Sequence, residues 1–381
     1  MRTLLFTGPG GAGTTTLAAS AAVRAARSGC RTLLLSRQPA AVPGLDALPG
    51  LDVVVVDGRP SLERLWSGSA AAVAAALPQM TLPPSSSVLP LPGAADLALF
   101  TDLASADADL VVVDAGPVEA ATALVGLSAT LRWWIDQLLP PAMRALGAVR
   151  TAAVASGAVR RGPVDAVLAA VPVLEGLLAR DRLADPAGTV VCLTAVPRRG
   201  AGEAARRAAT ALALHGLRPA AVFVRVLPEE GAGPWWVQRS AEQATGLAAL
   251  ADVAPVQQVV EGPASPEDID SLAALLGDFQ PADVEPVAPA TERRNGTWQL
   301  TVPLPFAQRS AVDLTRWGDD LVITVAGIRR SLRLDPLLRR CEVTGGRLTD
   351  AGTADGRLEV SFQPDPELWP ADLLAAEGRT P

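Results

Sequence analysis

The chain has 381 residues, of which 49% are hydrophobic and 19% are charged, and its formal net charge is -7. This hydrophobic content excludes wholesale disorder, and the length exceeds the roughly 250–300 residues at which single cores stop growing, so we expect two unequal domains. The acidic balance and the lack of a basic stripe argue against a nucleic acid as the main partner, because binding a polyanion needs clustered basic side chains.

The N-terminal sequence MRTLLFTGPGG runs from a short apolar segment directly into a glycine-rich loop. It lacks the long apolar segment and the cleavage site of a signal peptide. No stretch of the sequence reaches about 18 strongly apolar residues, the length that a membrane-spanning helix needs. The sequence therefore predicts a cytoplasmic protein without an integral membrane segment.

Three cysteines, Cys30, Cys192 and Cys341, lie far apart and form no CxxC pair. This spacing excludes a sequence-evident zinc site or iron–sulfur ligand set, so we expect buried, unreactive thiols. The lone histidine, His215, follows a helix-like run and precedes Gly216. An imidazole there can interact with the C-terminal end of a helix, and we predict a capping role rather than a catalytic one.

The first βαβ unit of a parallel sheet can be recognised near the N-terminus. Residues 3–7 have the apolar pattern of a buried strand, residues 8–13 form a glycine-rich loop, residues 15–27 predict a helix that ends at Gly29, and residues 32–35 predict the next strand. This order is typical of an α/β fold with a doubly wound, mostly parallel sheet. Further central strands are predicted at residues 51–56, 110–113, 190–194 and 220–227.

Two helical insertions are predicted between these strands. The first, about residues 60–103, contains the Pro- and Ser-rich segment 82–93, which predicts a loop. The second, about residues 118–182, is mostly helical. Its apolar residues repeat at helical spacing at Val164, Val167, Leu168, Val171, Leu174, Leu177 and Leu178. We interpret them as a core face rather than a client-binding groove, because such grooves tend to be methionine-rich and the chain has three methionines.

A composition change at residues 281–296 predicts a linker, because this segment is rich in Pro, Glu and Arg and lacks hydrophobic periodicity. An α/β domain at residues 1–280 is then followed by a second domain at residues 297–365 and a loosely held tail at residues 366–381. Apolar residues alternate with period two at Trp298, Leu300, Val302, Val312, Leu314, Leu321, Ile323, Val325, Leu332, Leu334, Leu358, Val360 and Phe362. With turns at Gly318 and Asp319, Gly345 and Gly346, and Asp355 and Gly356, they predict a small antiparallel β-sandwich.

The string GPGGAGTT at residues 8–15 fits a P-loop, GxxxxG followed by Lys and then Ser or Thr. Glycines in such a loop let successive backbone N–H groups face phosphates, while the following helix supplies partial positive charge. The predicted nucleotide-binding residues are Gly8, Gly10, Gly11, Ala12, Gly13, Thr14, Thr15 and Thr16. The hydroxyl of Thr15 is also a predicted magnesium ligand.

Thr14 occupies the position of the P-loop lysine. All 33 basic residues of the chain are arginines, so a compositional bias against lysine would replace it by arginine and not by threonine. Losing one preorganised electrostatic group of this kind typically costs roughly 3–4 kcal/mol of transition-state stabilisation. The substitution therefore indicates a change of function.

The loop resembles the deviant sequence GKGGVGKTT of the ArsA and guided-entry tail-anchored-protein-targeting ATPases, in which the first lysine reaches the partner subunit's nucleotide. Pro9 matches that lysine. The string SRQPAAV at residues 36–42 is similar to the family's switch I, STDPAHS, and places Gln38 at the catalytic aspartate. DAGPVEAA at residues 114–121 is similar to switch II and keeps Asp114 and Pro117. The resemblance places Asp114 within reach of magnesium through water.

The resemblance covers nearly the whole chain. LRWWIDQLLP at residues 131–140 looks like the helix after switch II, and the segment 203–228 looks like the helix and strand that lead to the family's adenine-recognising Asn, whose place Val224 takes. GPWW at residues 233–236 continues the match. The last domain is similar to the small-heat-shock-like β-sandwich of some bacterial ArsA-like proteins.

These departures from the family pattern predict a pseudoenzyme subunit or a chaperone or targeting adaptor, with impaired or absent ATP hydrolysis and weak binding of ATP or ADP with magnesium. The resemblance implies a homodimer, or a heterodimer with an intact ArsA-like paralogue, and hydrophobic protein clients. One alternative is an active ATPase that uses arginine in place of lysine, with Arg37 nearest in sequence. Another is an interaction module in which the sandwich binds clients. No metalloid-binding cysteine group supports arsenite transport.

Overall fold

The computed structural model describes residues 2–39, 42–57, 83–89, 93–158, 163–277, 284–294 and 297–369, with a few single residues between these ranges. The first domain contains one parallel sheet of seven strands in the order β3-β2-β4-β1-β5-β6-β7. The strands are β1 (Arg2–Thr7), β2 (Thr32–Ser36), β3 (Leu51–Val55), β4 (Leu110–Asp114), β5 (Thr189–Ala195), β6 (Pro219–Val226) and β7 (Val256–Val260). The predicted doubly wound α/β fold is confirmed.

Helices cover both faces of this sheet. They are α1 (Thr14–Arg27), α2 (Ala94–Ser105), α3 (Val118–Leu138), α4 (Pro141–Ala155), α5 (Pro163–Leu178), α6 (Ala201–Leu214), α7 (Gly233–Ala251) and α8 (Ile269–Ala274). Leu4 and Phe6 of β1 pack towards α1 and α8, whereas Leu5 packs towards the layer formed by α2, α3, α5, α6 and α7. Successive strand residues face opposite sides, so a strand buried on both faces is continuously apolar.

The C-terminal domain consists of two antiparallel sheets around one core, as predicted. Their strands are β8 (Ala290–Arg294), β9 (Thr297–Pro303), β10 (Val312–Trp317), β11 (Asp320–Val325), β12 (Ile328–Arg333), β13 (Cys341–Thr349) and β14 (Arg357–Pro364). One sheet has the order β10-β11-β12 and the other β13-β14-β9-β8. Ile323 of the first sheet shares a buried apolar cluster with Val360 and Phe362 of the second.

Three predictions about this domain are wrong in part. Residues 290–294 are not linker but the edge strand β8, whose exposed side chains show no hydrophobic alternation. Gly345 and Gly346 lie inside β13 next to a register shift and are not a turn, since glycine is also common at β-bulges. The tail is held at Trp369, which packs against the domain core. Residues 370–381 lie outside the described residues.

The second insertion is helical, as predicted, and contains α3, α4 and α5. The predicted core face of α5 is confirmed at Leu174, Leu177 and Leu178, which pack against the core of the first domain. Val173 on the same helix is exposed, and the side chains of Val164 and Val167 lie outside the described residues. Within the first insertion, α2 is helical. The described part of the predicted loop, residues 83–89, contains only a single 3-10 turn at Ser85–Ser87, as a loop would, and residues 82 and 90–92 lie outside the described residues. None of the helices in the described ranges is both long and apolar enough to cross a bilayer.

The predicted burial of the cysteines is confirmed for two of the three. Cys192 and Cys341 are buried, whereas Cys30 is half-buried at the end of the turn after α1. Burial raises the pKa of the Cys192 thiol to about 12, so this thiol stays protonated at neutral pH.

The two domains are joined through α6 and α3. The Thr210 hydroxyl donates a hydrogen bond of 2.6 Å to the Pro305 carbonyl, and the Trp317 indole donates one of 3.0 Å to the Gln137 side chain. The Arg330 guanidinium donates to the carbonyl of Leu214, the last residue of α6. Leu214 also belongs to the core of the sandwich, so the interface has an apolar centre with polar contacts around it.

His215 is the C-terminal cap residue of α6, as predicted, and it lies at this interface. Its ring fills the space beside Gly126 of α3, where an added Cβ would lie 2.8 Å from the imidazole Cε1. Its Nε2 atom is buried without a hydrogen-bond partner in the described part of the chain. Burial, and then the nearby Arg330 charge, lower the pKa of His215 to about 4. The side chain is therefore neutral, and it does not give the helix end a positive charge.

This shift predicts a pH-dependent stability. The folded pKa of His215 lies below its ordinary value of 6.5, so protonation favours the unfolded chain, and stability present above pH 6.5 is lost as the pH falls towards 4. One pKa unit corresponds to about 1.4 kcal/mol, so the loss attributable to His215 is about 2 kcal/mol by pH 5. Urea unfolding of the unmodified chain and of His215→Gln at pH 7.5 and pH 5 measures it. Equal losses in both proteins would contradict this role.

Candidate nucleotide site

The glycine-rich loop joins β1 to α1 at the carboxyl edge of the sheet. Gly11 and Gly13 have φ values of 77° and 84°, a left-handed conformation that glycine adopts without strain. Pro9, Gly10 and Gly11 are exposed. Gly13 is the N-cap of α1, no side chain caps this helix, and its first turn contains no acidic residue. The helix end is therefore open to an anion.

The loop begins in close contact with β5. A Cβ atom added at Gly8 would lie 2.1 Å from Thr194 Oγ1 and 2.4 Å from the Thr194 carbonyl oxygen, so only glycine fits. Ala12 departs from the prediction, because its N–H donates a hydrogen bond of 3.2 Å to the Pro9 carbonyl and does not face the centre of the loop. Because this N–H is already hydrogen-bonded in a tight turn within the loop, it is not free to bind a phosphate oxygen.

Thr14, at the lysine position, has its side chain turned into the protein. Its hydroxyl and that of Thr194 share a buried hydrogen bond of 2.6 Å. The Thr194 hydroxyl also lies 3.4 Å from the carbonyl oxygen of Thr7, at the end of β1. Thr14 thus ties the start of α1 to two central strands and brings no charge to the loop. Thr16 is half-buried in the first turn of α1.

Thr15 and Asp114, the predicted magnesium ligands, are in direct contact. The Thr15 hydroxyl donates a hydrogen bond of 2.6 Å to Asp114 Oδ2, and the Ser36 hydroxyl donates one of 3.0 Å to the same oxygen. The Gly116 N–H donates to Asp114 Oδ1 over 3.2 Å. Hydroxyl and carboxylate oxygens suit a magnesium ion, which also takes water and phosphate oxygens. Ser36 is a site residue that the sequence did not single out.

A bound nucleotide would have to complete such a magnesium site. In the part of the chain that the structure describes, no three His, Cys, Asp or Glu side chains come together around one point. Asp114 alone supplies a carboxylate, so the remaining ligands must come from hydroxyl groups, water and phosphate.

Gln38 and Arg37 lie in the turn that follows β2. The side chain of Gln38 is exposed, while its backbone N–H and carbonyl both bond to the Ser36 hydroxyl, at 3.1 and 2.8 Å. An amide cannot accept a proton as the family's aspartate does. Arg37 pairs with Asp96 of α2 over 2.5 Å, and its Cδ would be 3.8 Å from a Cβ at Gly116. The guanidinium is held by α2 instead of extending freely towards the loop.

Val224, at the position of the adenine-recognising Asn, is fully buried within β6 and belongs to the core of the domain. The next residue, Arg225, is half-buried and lies 3.7 Å from Glu261 in an ion pair. An apolar side chain in the core cannot contact a nucleobase. The residue that the resemblance aligns with the family's adenine-recognising Asn is thus a core residue of the sheet in this chain.

Comparison with known proteins identifies both domains. Residues 1–42 match the model of the anion-transporting ATPase family, and residues 295–362 match that of the HSP20-like domain found in ArsA. The chain is 38% identical to the uncharacterized protein SCO2128 of Streptomyces coelicolor, over 97% of this chain and 99% of the relative. It is 29% identical to the protein Rv2184c of Mycobacterium tuberculosis, over 97% of each chain.

The close approach of Gly8 to Thr194 predicts an unequal effect of two alanine substitutions in the loop. Gly8→Ala should destabilise the chain by about 3 kcal/mol, the upper end for overpacking, because its Cβ meets a strand backbone. Gly10→Ala has open space around its Cβ and should stay within about 0.5 kcal/mol of the unmodified chain. Urea unfolding measures both. Equal stability of the two variants would show that β5 does not fix the loop.

Proposed function

The chain belongs to the ArsA-like family of anion-transporting ATPase relatives that carry a C-terminal HSP20-like domain, and from this membership we propose that it is a nucleotide-binding pseudo-ATPase. Its hydrolysis of ATP is impaired or absent, and it acts as a pseudoenzyme subunit or as a chaperone or targeting adaptor. The observation that carries the proposal is the hydrogen bond between Thr14 and Thr194. Thr14 stands at the lysine position of the P-loop, and its uncharged side chain is hydrogen-bonded inside the protein.

The parts that bind phosphate and magnesium remain in this proposal. The open N-terminus of α1 and the exposed Gly10 and Gly11 receive the phosphates, and Thr15 and Asp114 hold a magnesium ion. The ion would neutralise phosphate charge when it is bound. What the site lacks is the lysine at position 14 and the acid at position 38, so ATP rests there without efficient transfer of its terminal phosphoryl group.

A calorimetric titration of ATP and of ADP with magnesium tests the proposal on three proteins. The unmodified chain should bind weakly, and Thr14→Lys should bind at least about tenfold more tightly because an ammonium then reaches the outer phosphates. Thr14→Val is the matched control, since it removes the hydroxyl without adding charge. Equal affinity of the Lys and Val variants, or turnover by the unmodified chain at the rate of an intact family member, would refute the proposal.

An active ATPase that uses arginine is the alternative, and the position of one arginine favours it. Arg199 is exposed on the segment after β5 and lines the same cavity as Pro9 and Gly10 of the loop. Arg37, the candidate nearest in sequence, is already paired with Asp96. If the chain hydrolyses ATP, Arg199→Ala should remove most turnover and Arg37→Ala should remove little. The opposite order would exclude Arg199.

A partner and client role completes the proposed function. The family arrangement places two P-loop halves face to face, so we expect a homodimer or a heterodimer with an ArsA-like paralogue. Large apolar side chains are exposed on α3 and α4, namely Trp134, Leu138, Met143, Leu146 and Val149. This patch favours the helical insertion, and not the sandwich, as the surface that would bind hydrophobic clients.

The exposed patch on α3 and α4 predicts a specific loss of client protection. Leu138 and Leu146 are 71% and 65% exposed, so replacing both by Asp should leave the fold intact. The double variant should no longer suppress aggregation of a hydrophobic client, as measured by light scattering. Val237→Asp, at an equally exposed valine of α7, is the matched control. If the double variant still suppressed aggregation fully, the patch on α3 and α4 would not be the client-binding surface, and the sandwich would be favoured instead.

A further inference from the structure

A cavity of about 850 Å³ lies between the two domains, next to the glycine-rich loop. Gly8, Pro9 and Gly10 border one end, α3 and α6 form opposite walls, and the end of β5 forms the floor. The turn between β11 and β12 of the sandwich, with Ala326 and Gly327, covers it. Binding pockets for small molecules typically have volumes of about 300–1,000 Å³, so this space can hold one.

Small apolar residues make up most of the α6 wall and part of the α3 wall, which also carries Thr122 and Thr130. On α6 they are Ala201, Ala204, Ala205, Ala208 and Ala211, and on α3 they include Ala123 and Gly126. These residues recur every three or four positions, so they line one face of each helix. The lining contains no Phe or Trp side chain, and its one aromatic ring, that of His215, packs against Gly126. A flexible hydrocarbon chain suits such walls better than a nucleobase does.

The rim of the cavity is positively charged. Arg198, Arg199, Arg207 and Arg329 line it, against the single acid Glu119. Arg198 is paired with Glu242 at 3.0 Å. The other three guanidinium groups are exposed and form no ion pair within the described residues. An anionic headgroup at the rim would balance this excess charge.

The cover over the cavity is fixed in place by the interface between the domains. The hydrogen bond from Thr210 to Pro305 holds the sandwich to α6, and that from Trp317 to Gln137 holds it to α3, so both walls are tied to the cover. Ala326 and Gly327 both have positive φ values, 53° and 79°, which is typical of a tight hairpin turn. A turn of the second domain therefore bounds the cavity, and the contacts between the domains hold this turn beside α3 and α6.

We propose that this cavity binds a single-chain amphipathic anion, a free fatty acid, with the acyl chain between α3 and α6 and the carboxylate at Arg199 and Arg329. The alanine side chains contact the acyl chain, the guanidinium groups of Arg199 and Arg329 donate hydrogen bonds to the carboxylate, and the turn of the sandwich borders the chain. The contact of the cavity with Pro9 and Gly10 places such a ligand beside the nucleotide loop. The cavity shares Gly8 and Gly10 with the predicted nucleotide loop, but Thr15 and Asp114 do not line it.

Displacement of the fluorescent fatty acid 11-(dansylamino)undecanoic acid from the full chain tests this inference. Dodecanoate should displace the probe, and dodecanol, of the same chain length but uncharged, should be at least about tenfold weaker. The double variant Arg199→Glu, Arg329→Glu should bind the probe at least about tenfold less tightly, and Ala204→Trp should abolish binding by filling the cavity. Arg180→Glu, at an exposed arginine outside the cavity, is the matched control.

Circular dichroism should show the native spectrum for every variant, because the substituted side chains are all exposed. Equal displacement by dodecanoate and dodecanol, or unchanged probe binding by both the arginine and the tryptophan variants, would overturn the proposal. A chain that cosediments with phosphatidylglycerol vesicles but does not bind the monomeric probe would also overturn it, since the ligand would then be a membrane surface. ATP binding by Ala204→Trp, a variant that changes no residue assigned to the nucleotide site, reports separately on the nucleotide loop.

Discussion

The hydrogen bond between the hydroxyls of Thr14 and Thr194 is the contact on which the nucleotide site depends. It joins the first residue of α1 to the end of β5, and Gly8 packs against the same threonine with no room for a side chain. A lysine at position 14 could not make this bond and would carry its charge to the phosphates. The loop therefore has left-handed glycines and an open helix end, while the side chain at position 14 is uncharged and bonded within the protein.

Central elements of the fold could be predicted because they are buried on both faces. Strands such as β4 and β5 are mostly continuous runs of apolar residues. In the helices between them, apolar residues recur with the period of about 3.6 residues that an α-helix requires. Edge elements were harder to predict. The strand predicted at residues 51–56 exists as β3, but it lies at the edge of the sheet and not, as was expected, in its centre. β7, with the sequence VQQVV, is half-exposed and was missed, and β8 is exposed along its whole length and resembled a linker. Tertiary pairing alone makes such segments strands.

Some residues of the candidate site could also be predicted from the sequence, and others could not. The spacing of the loop fixed Gly8 to Thr16, and the resemblance at switch II placed Asp114 near Thr15, a contact that the structure brings to 2.6 Å. Thr194 and Arg199 could not be found, because they lie about 180 residues from the loop and reach it only through the pairing of β1 with β5. Side chains at the carboxyl ends of adjacent parallel strands meet at one edge of a sheet. This rule would have placed Thr194, at the end of a predicted strand, near the loop.

A crystal structure of the full chain with magnesium and a non-hydrolysable ATP analogue distinguishes the pseudo-ATPase from the arginine-dependent alternative. We expect Thr14 and Thr194 to stay hydrogen-bonded, the metal ion to be bound near Thr15 and Asp114, and no guanidinium group of this chain to contact the terminal phosphate. If Arg199 or Arg37 of the same chain bound that phosphate, the pseudo-ATPase proposal would be wrong and the arginine-dependent ATPase would be favoured.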